Sequence, residues 1–391
     1  MFTILLVIIY ISFISLGLPD AMLGSAWPSM YGGLQVPMSF AGIISMIIAG
    51  GTIISSLFSD NLIKKLGTGK VTALSVCMTA MALFGFSISN TFIVLCLWAI
   101  PYGLGAGSVD AALNNFVALH YKAKHMSWLH CFWGIGATLG PYIMGFCLMG
   151  GMRWNAGYRF IFIIQICLTI ILIFSIPLWK KSNAATDEKQ EIAKNLSLKE
   201  LVKLPGAKSV LVAFFSYCAL EATTGLWGSS YMVIERGMSA NEAAMWISLF
   251  YLGITVGRFL CGFITMKIGD KNMIRIGQSI AVVGIIALLL PMGKWVLCAG
   301  FVLIGMGCAP IYPSLLHATP NNFGKDLSQA VMGMQMACAY IGSTFMPPLF
   351  GLIAEYISIK LYPFYLIIFV MLMIFMVERL NKICVASKSS S

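Results

Sequence analysis

Three carboxylic acids stand where a chain can least accommodate them. Asp20, Asp110 and Glu221 each interrupt an apolar run long enough to cross a bilayer. An ionisable group at that depth costs at least ~2.5 kcal/mol, so it is expected to face a cavity or a partner. A carboxyl taken out of water holds a proton more readily and can release it when water returns. Its oxygens also accept hydrogen bonds from hydroxyl donors. The chemistry expected of Asp20, Asp110 and Glu221 is therefore proton coupling, with Asp20 and Glu221 also binding a small polar solute.

Helical spacing puts company around each acid. Gly103, Gly107, Asp110 and Asn114 fall on one stripe, Gly17, Asp20, Gly24, Trp27 and Tyr31 on a second, and Tyr217, Glu221, Thr224, Gly228 and Tyr231 on a third. Acids, aromatics and small residues together suit a solute with apolar faces and hydroxyl groups. The same small residues also let helices pack closely, and the spacing fits both readings. Candidate solute contacts are Asp20, Trp27, Asn114, His130, Trp133, Tyr217, Glu221, Trp227 and Gln335. For the tryptophans the rival reading is interfacial anchoring; for His130 and Gln335 it is a hydrogen bond between helices. Arg258, inside Gly257-Arg258-x-x-x-Gly262, is expected to pair locally or to snorkel toward the interface.

The elements that must position these residues are long apolar helices. The chain has 391 residues, 59% hydrophobic and 10% charged, against roughly 25% charged in a soluble domain. Apolar stretches at 2–31, 38–63, 71–89, 92–119, 126–150 and 157–179, then 207–234, 240–266, 272–291, 295–317, 327–355 and 361–378, predict twelve membrane spans. The fold class expected is an all-α membrane protein of two pseudo-symmetric six-helix bundles, residues 1–179 and 207–391, joined by a charged linker at 180–206. The run from Phe2 to Leu16 has no basic flank and no small-residue cleavage site, so a removed signal peptide is not expected.

With the N-terminus placed inside, nineteen of the 25 Lys and Arg residues fall in inward segments and five in outward ones, Arg258 lying within a span. That bias predicts a multi-pass protein of the cell membrane with both termini cytoplasmic. The net charge of +11 is then a topology signal. It forms no aromatic-studded basic stripe of the kind that binds nucleic acid.

The halves repeat. Asp20 and Gly24 align with Glu221 and Gly225 at an offset of 201; Gly51, Lys65 and Gly67 align with Gly253, Lys267 and Gly269 at 202. Gly103 and Gly105 align with Gly305 and Gly307 at 202, and Pro141 and Gly145 with Pro347 and Gly351 at 206. Six helices per copy make the two copies parallel, an arrangement that places a solute site between bundles. Pro310 and Pro313, with Pro347 and Pro348, are expected to interrupt spans ten and eleven, either as gates or as static kinks.

The 6+6 pattern and the loop Ser59-Asp60-Asn61-Leu62-Ile63-Lys64-Lys65-Leu66-Gly67 resemble the major facilitator superfamily, whose loop reads G-x-x-x-D-R-x-G-R-R. Asp60 and the two lysines match; Ser56 and Asn61 depart from it. Asp60, in that matching loop, is expected to be a gating or structural residue; Arg258, Pro310 and Pro313 are assigned the same kind of role from the charge and the prolines within their spans. The segment Gly103-Leu104-Gly105-Ala106-Gly107-Ser108-Val109-Asp110-Ala111-Ala112-Leu113-Asn114-Asn115-Phe116 is similar to the fourth helix of the fucose permease group. Tyr217-x-x-x-Glu221-x-x-x-Gly225-x-Trp227 resembles sodium-dependent sugar carriers. The resemblance implies cation-coupled uptake of a sugar, with Asp20 and Asp110 serving coupling and binding. His130 and Trp133 stand where the fucose carrier has amides.

The expected function is a secondary active transporter of a small polar solute, with no cofactor beyond a coupling proton or sodium ion. Expected partners are the solute and membrane lipid, and the functional unit expected is the monomer. The alternative is proton-driven efflux of drug-like or lipophilic compounds through a Met-rich cavity. No phosphate loop, HExxH or GxSxG appears, so a nucleotide-driven pump and an enzyme are disfavoured.

Overall fold

A backbone crossing lipid must satisfy its own hydrogen bonds, and in this chain it does so with helices. The structure, a computed structural model, describes residues 2–121, 123–183 and 198–389. Residues 184–197 of the expected linker lie outside them. The helices are α1 (Phe2–Asp20), α2 (Met22–Met30), α3 (Ala41–Leu66), α4 (Thr68–Ile88), α5 (Phe92–His120), α6 (Ala123–Met149) and α7 (Trp154–Asn183). After α8 (Leu198–Lys203) come α9 (Ala207–Ile234), α10 (Ala240–Leu289), α11 (Lys294–Cys308), α12 (Ile311–Phe323), α13 (Lys325–Ile353) and α14 (Tyr362–Ser389).

Among the described residues, eleven helical stretches are long and apolar enough to cross a membrane. The last, Ala330–Cys384, has 55 residues, about 80 Å at 1.5 Å per residue, against a hydrocarbon core of about 30 Å. A π turn at Ala354–Ser358 and a 3-10 turn at Ile359–Leu361 divide it into α13 and α14. Twelve crossings result, as expected for this fold class.

The contacts divide into two compact units. The first comprises the first six spans with residues 225–252 and 351–359. Within it α3 packs on α5, α4 on both α5 and α7, and α1 on α6. Its core gathers Phe13, Leu113, Phe116, Leu129, Leu172 and Trp179. Large apolar side chains also point outward, Phe174 being 80% and Leu57 74% exposed. That is sensible only against lipid. The second unit comprises, among its described residues, 198–224, 253–350 and 360–389.

The repeat read in the sequence has matching geometry. A Cβ on Gly136 would meet the Ile14 carbonyl oxygen at 2.0 Å, and one on Gly342 would meet the Phe215 carbonyl oxygen at 2.4 Å. Gly51 touches the Gly103 backbone, and Gly253 the Gly305 backbone, in the same way. Gly67 (φ 82°, ψ 152°) and Gly269 (φ 77°, ψ 160°) share a backbone conformation that a side chain would strain. At Gly269 the long α10 changes direction. Overpacking such a contact costs about 1–3 kcal/mol, so Gly136→Ala is expected to lower the melting temperature in detergent. An unchanged melting temperature would show that α1 and α6 separate freely.

Span one is not one helix. Pro19 has no N–H to give the Ser15 carbonyl, and its ring crowds that carbonyl. Gln165 of α7 takes over, donating from Nε2 to the Ser15 carbonyl while the Ser15 hydroxyl donates to Gln165 Oε1 at 2.6 Å. The helix breaks at Ala21 (φ −95°, ψ 0°), one residue beyond Asp20. Span ten breaks similarly at Ala309–Pro310, separating α11 from α12. Pro313 falls in the first turn of α12, where a missing N–H leaves no bond unmade. Pro347 and Pro348 lie inside α13, which runs on through them.

Candidate functional site

In the first unit the site is built on the break after α1. Asp20 ends the helix with an exposed side chain, and two neighbouring helices hold its carboxylate. Trp133 of α6 donates its indole N–H to Oδ2 at 2.7 Å, and Tyr102 of α5 donates its hydroxyl to Oδ1 at 3.3 Å. The Trp133 ring meets the Tyr251 ring edge-on, centroids 6.4 Å apart. Tyr251 in turn occupies the space beside Gly225, where a Cβ would lie 2.2 Å from the tyrosine hydroxyl. Asp110 lies within electrostatic reach of Asp20 and accepts a hydrogen bond from Asn114 Nδ2 at 2.9 Å.

Two donors leave lone pairs of the Asp20 carboxylate free, because each carboxylate oxygen accepts more than one bond. The group can still take a proton or a solute hydroxyl, next to the indole edge of Trp133. A hydrogen bond to a charged group is worth about 1.5–3 kcal/mol. Trp133→Phe, which keeps an aromatic ring and loses the donor, is expected to slow transport by about tenfold or more on that scale. Initial rates in vesicles check this, and a wild-type rate would mean that the bond to Asp20 does not matter to transport.

Other expected contacts have different surroundings. His130 is half-buried, its ring edge-on to Phe13 at 6.0 Å. Trp27 is fully buried, and its indole donates to the Met38 carbonyl at 2.7 Å, tying α2 to the turn before α3. Trp227 is fully buried against Gly351, where a Cβ would stand 2.6 Å from the indole. The two glycines that the repeat aligns also meet each other. A Cβ on Gly24 would lie 2.2 Å from the Gly225 carbonyl oxygen, so α2 and α9 cross there backbone to backbone.

The second unit holds a separate constellation. Glu221 and Tyr217 are one turn apart on α9, and Arg258 of α10 approaches Glu221 Oε1 at 3.7 Å, with side chains 14% and 20% exposed for Arg258 and Glu221. Tyr217 lies beside the Arg258 guanidinium and packs at 5.9 Å from the Tyr312 ring. The arginine is thus paired inside its span. Gln335 is fully buried; its Nε2 donates to the Thr319 hydroxyl at 3.1 Å, which donates onward to the Leu315 carbonyl at 3.0 Å. Pro310 packs against Gly277, where a Cβ would meet its ring at 2.7 Å. Asp60 belongs to the last turns of α3, and its side chain lies outside the described residues. Among the described residues no group of three or more His, Cys, Asp or Glu side chains is placed to hold a metal ion.

Sequence reasoning missed Tyr102, Tyr251 and the identity of the partner of Arg258. A signal existed for two of them. Tyr102 directly precedes the glycine stripe of span four, and Tyr251 fills the space that Gly225, singled out by the repeat, leaves empty.

Residues 9–231 and 209–381 match the family described as Major Facilitator Superfamily. Among curated proteins, Bypass of stop codon protein 6 of Saccharomyces cerevisiae is 23% identical, the match covering 94% of this chain and 80% of that one. The glucose/mannose transporter GlcP of Bacillus subtilis is 23% identical over 88% of this chain and 86% of its own. Among solved structures, a point mutant of the peptide transporter POT superposes with a TM-score of 0.76 at 14% identity, covering 97% of this chain and 94% of the other. This chain belongs to the Major Facilitator Superfamily: it is a multi-pass membrane transporter that carries a small solute by alternating access, and it is not an enzyme.

Proposed function

We propose that the solute is a sugar or a comparable ring molecule rich in hydroxyl groups, taken up together with a cation, and that the cation is a proton. The observation that carries this reading is the Asp20 carboxylate, held by the donors of two aromatic side chains, Trp133 and Tyr102, with acceptor capacity to spare. Carboxylate oxygens bind sugar hydroxyls and aromatic rings cover the apolar face of a sugar. The likeness to a glucose/mannose transporter over most of both chains supports the same solute class.

In this reading Asp20 takes up a proton with the solute on one side and releases both on the other, Asp110 shares the charge within its electrostatic reach, and Asn114, His130 and Trp133 contact the solute. Glu221 belongs to the proposed site through its link to Arg258, a pair that a proton on Glu221 loosens. The two six-helix halves, 1–179 and 207–391, are the moving bodies, the working unit is one chain, and the charge bias places both termini in the cytoplasm.

Counterflow of radiolabelled hexoses in proteoliposomes, with an imposed pH or sodium gradient, tests the proposal. Hexose exchange that accumulates only with the pH gradient is the expected result. Accumulation driven by sodium alone would reassign the ion. Absence of hexose exchange together with pH-driven export of lipophilic dyes would replace uptake with efflux.

A further inference from the structure

Away from the carboxylates, the first unit has a cleft of about 470 Å³ where the end of α4 meets the start of α7. Its lining includes Ser87, Asn90, Asn155 and two arginines, Arg153 and Arg159, and contains no acid. Both arginines are exposed, and among the described residues neither has a carboxylate partner. The first turn of the 30-residue α7 opens onto the same cleft through Asn155 and Ala156, adding the partial positive charge of a helix start. Asn155 Nδ2 donates to the Ser89 carbonyl at 3.2 Å, which fixes the cleft wall between the two helices.

The cleft continues into an apolar face. Phe160, Ile163, Ile164, Cys167, Ile171 and Phe174 are all exposed, and from Phe160 through Ile163/Ile164, Cys167 and Ile171 to Phe174 the steps of three and four residues form one stripe along α7 that begins beside Arg159. Positive charge at the membrane edge above a stripe of exposed apolar side chains matches the two ends of a lipid. A free anion would use the charge and leave the stripe unexplained. We propose that this cleft binds the phosphate of an anionic phospholipid through Arg153 and Arg159, with the acyl chains lying along the α7 stripe.

Interfacial basic residues are each worth about fivefold in affinity for an anionic lipid. Native mass spectrometry of the full chain, with phosphatidylglycerol titrated against phosphatidylcholine, is expected to show retained phosphatidylglycerol. In Arg153→Gln/Arg159→Gln its affinity should fall by about 25-fold, while Arg153→Lys/Arg159→Lys should keep most of it. Melting temperature in phosphatidylcholine alone reports whether each variant folds, and a matched value makes the affinity comparison valid. Should the glutamine variant prove unstable, the lysine variant and competition by inorganic phosphate decide the matter. Equal binding of the two lipids, or a glutamine variant that retains phosphatidylglycerol, overturns the proposal. Displacement of the lipid by millimolar inorganic phosphate would assign the cleft to free anions and overturn the lipid assignment.

Discussion

Vesicles carrying Asp20→Asn are expected to fill with solute until inside and outside are equal and to stop there, even with a pH gradient imposed. Asparagine keeps an oxygen for the Trp133 indole, so the local hydrogen bonding survives, and solute exchange should persist. What disappears is a group that changes charge. One proton moving down 100 mV supplies about 2.3 kcal/mol, enough for roughly fortyfold accumulation at 1.4 kcal/mol per tenfold. A fall from that level to unity is the largest effect foreseen for any single substitution. If Asp20→Asn still concentrates solute, the proton is carried elsewhere, and Asp110→Asn becomes the decisive comparison.

The second large effect concerns stability. Removing one partner of a buried ion pair strands the other, at a cost of about 3–5 kcal/mol, whereas removing both is often close to neutral. Arg258→Met alone and Glu221→Gln alone are therefore each expected to lower the melting temperature. The double variant Arg258→Met/Glu221→Gln is expected to recover most of the loss. Uptake separates structural from functional worth. Recovered stability with uptake still absent is the expected outcome, since the pair is proposed to loosen and re-form in each cycle. Recovery of both would reduce the pair to a fastener. Additive losses in the double variant would show that the 3.7 Å approach carries no coupling.

The number of crossings and the repeat were readable because span length, apolar content and fixed offsets are properties of one dimension. Asp20 and Glu221 announced themselves for the same reason, as charges interrupting such runs. Their partners did not. Whether Asp20 meets Tyr102 or Glu221 meets Arg258 depends on how each helix is rotated about its axis, and a stripe of residues constrains that rotation only loosely. Trp27 shows the limit from the other side: it shares a stripe with Asp20, yet its indole is spent on the Met38 carbonyl. Gln335 likewise satisfies itself on Thr319. The break at Ala21 was hidden because Pro19 alone does not say whether a helix bends or stops. The outcome rests on Gln165, some 150 residues away, accepting the role of substitute donor.

The crossing of Gly24 over Gly225 has a kinetic corollary. Two bare backbones in contact are held by dispersion, about 0.1–0.2 kcal/mol per atom pair, and part with no ion pair to unlock at that point. Ionic strength has no purchase on such a junction. Salt that slows or speeds turnover would therefore be reporting on charge elsewhere in the cycle, whereas a single added methyl at Gly24 would act as a wedge and favour whichever arrangement keeps these two helices apart.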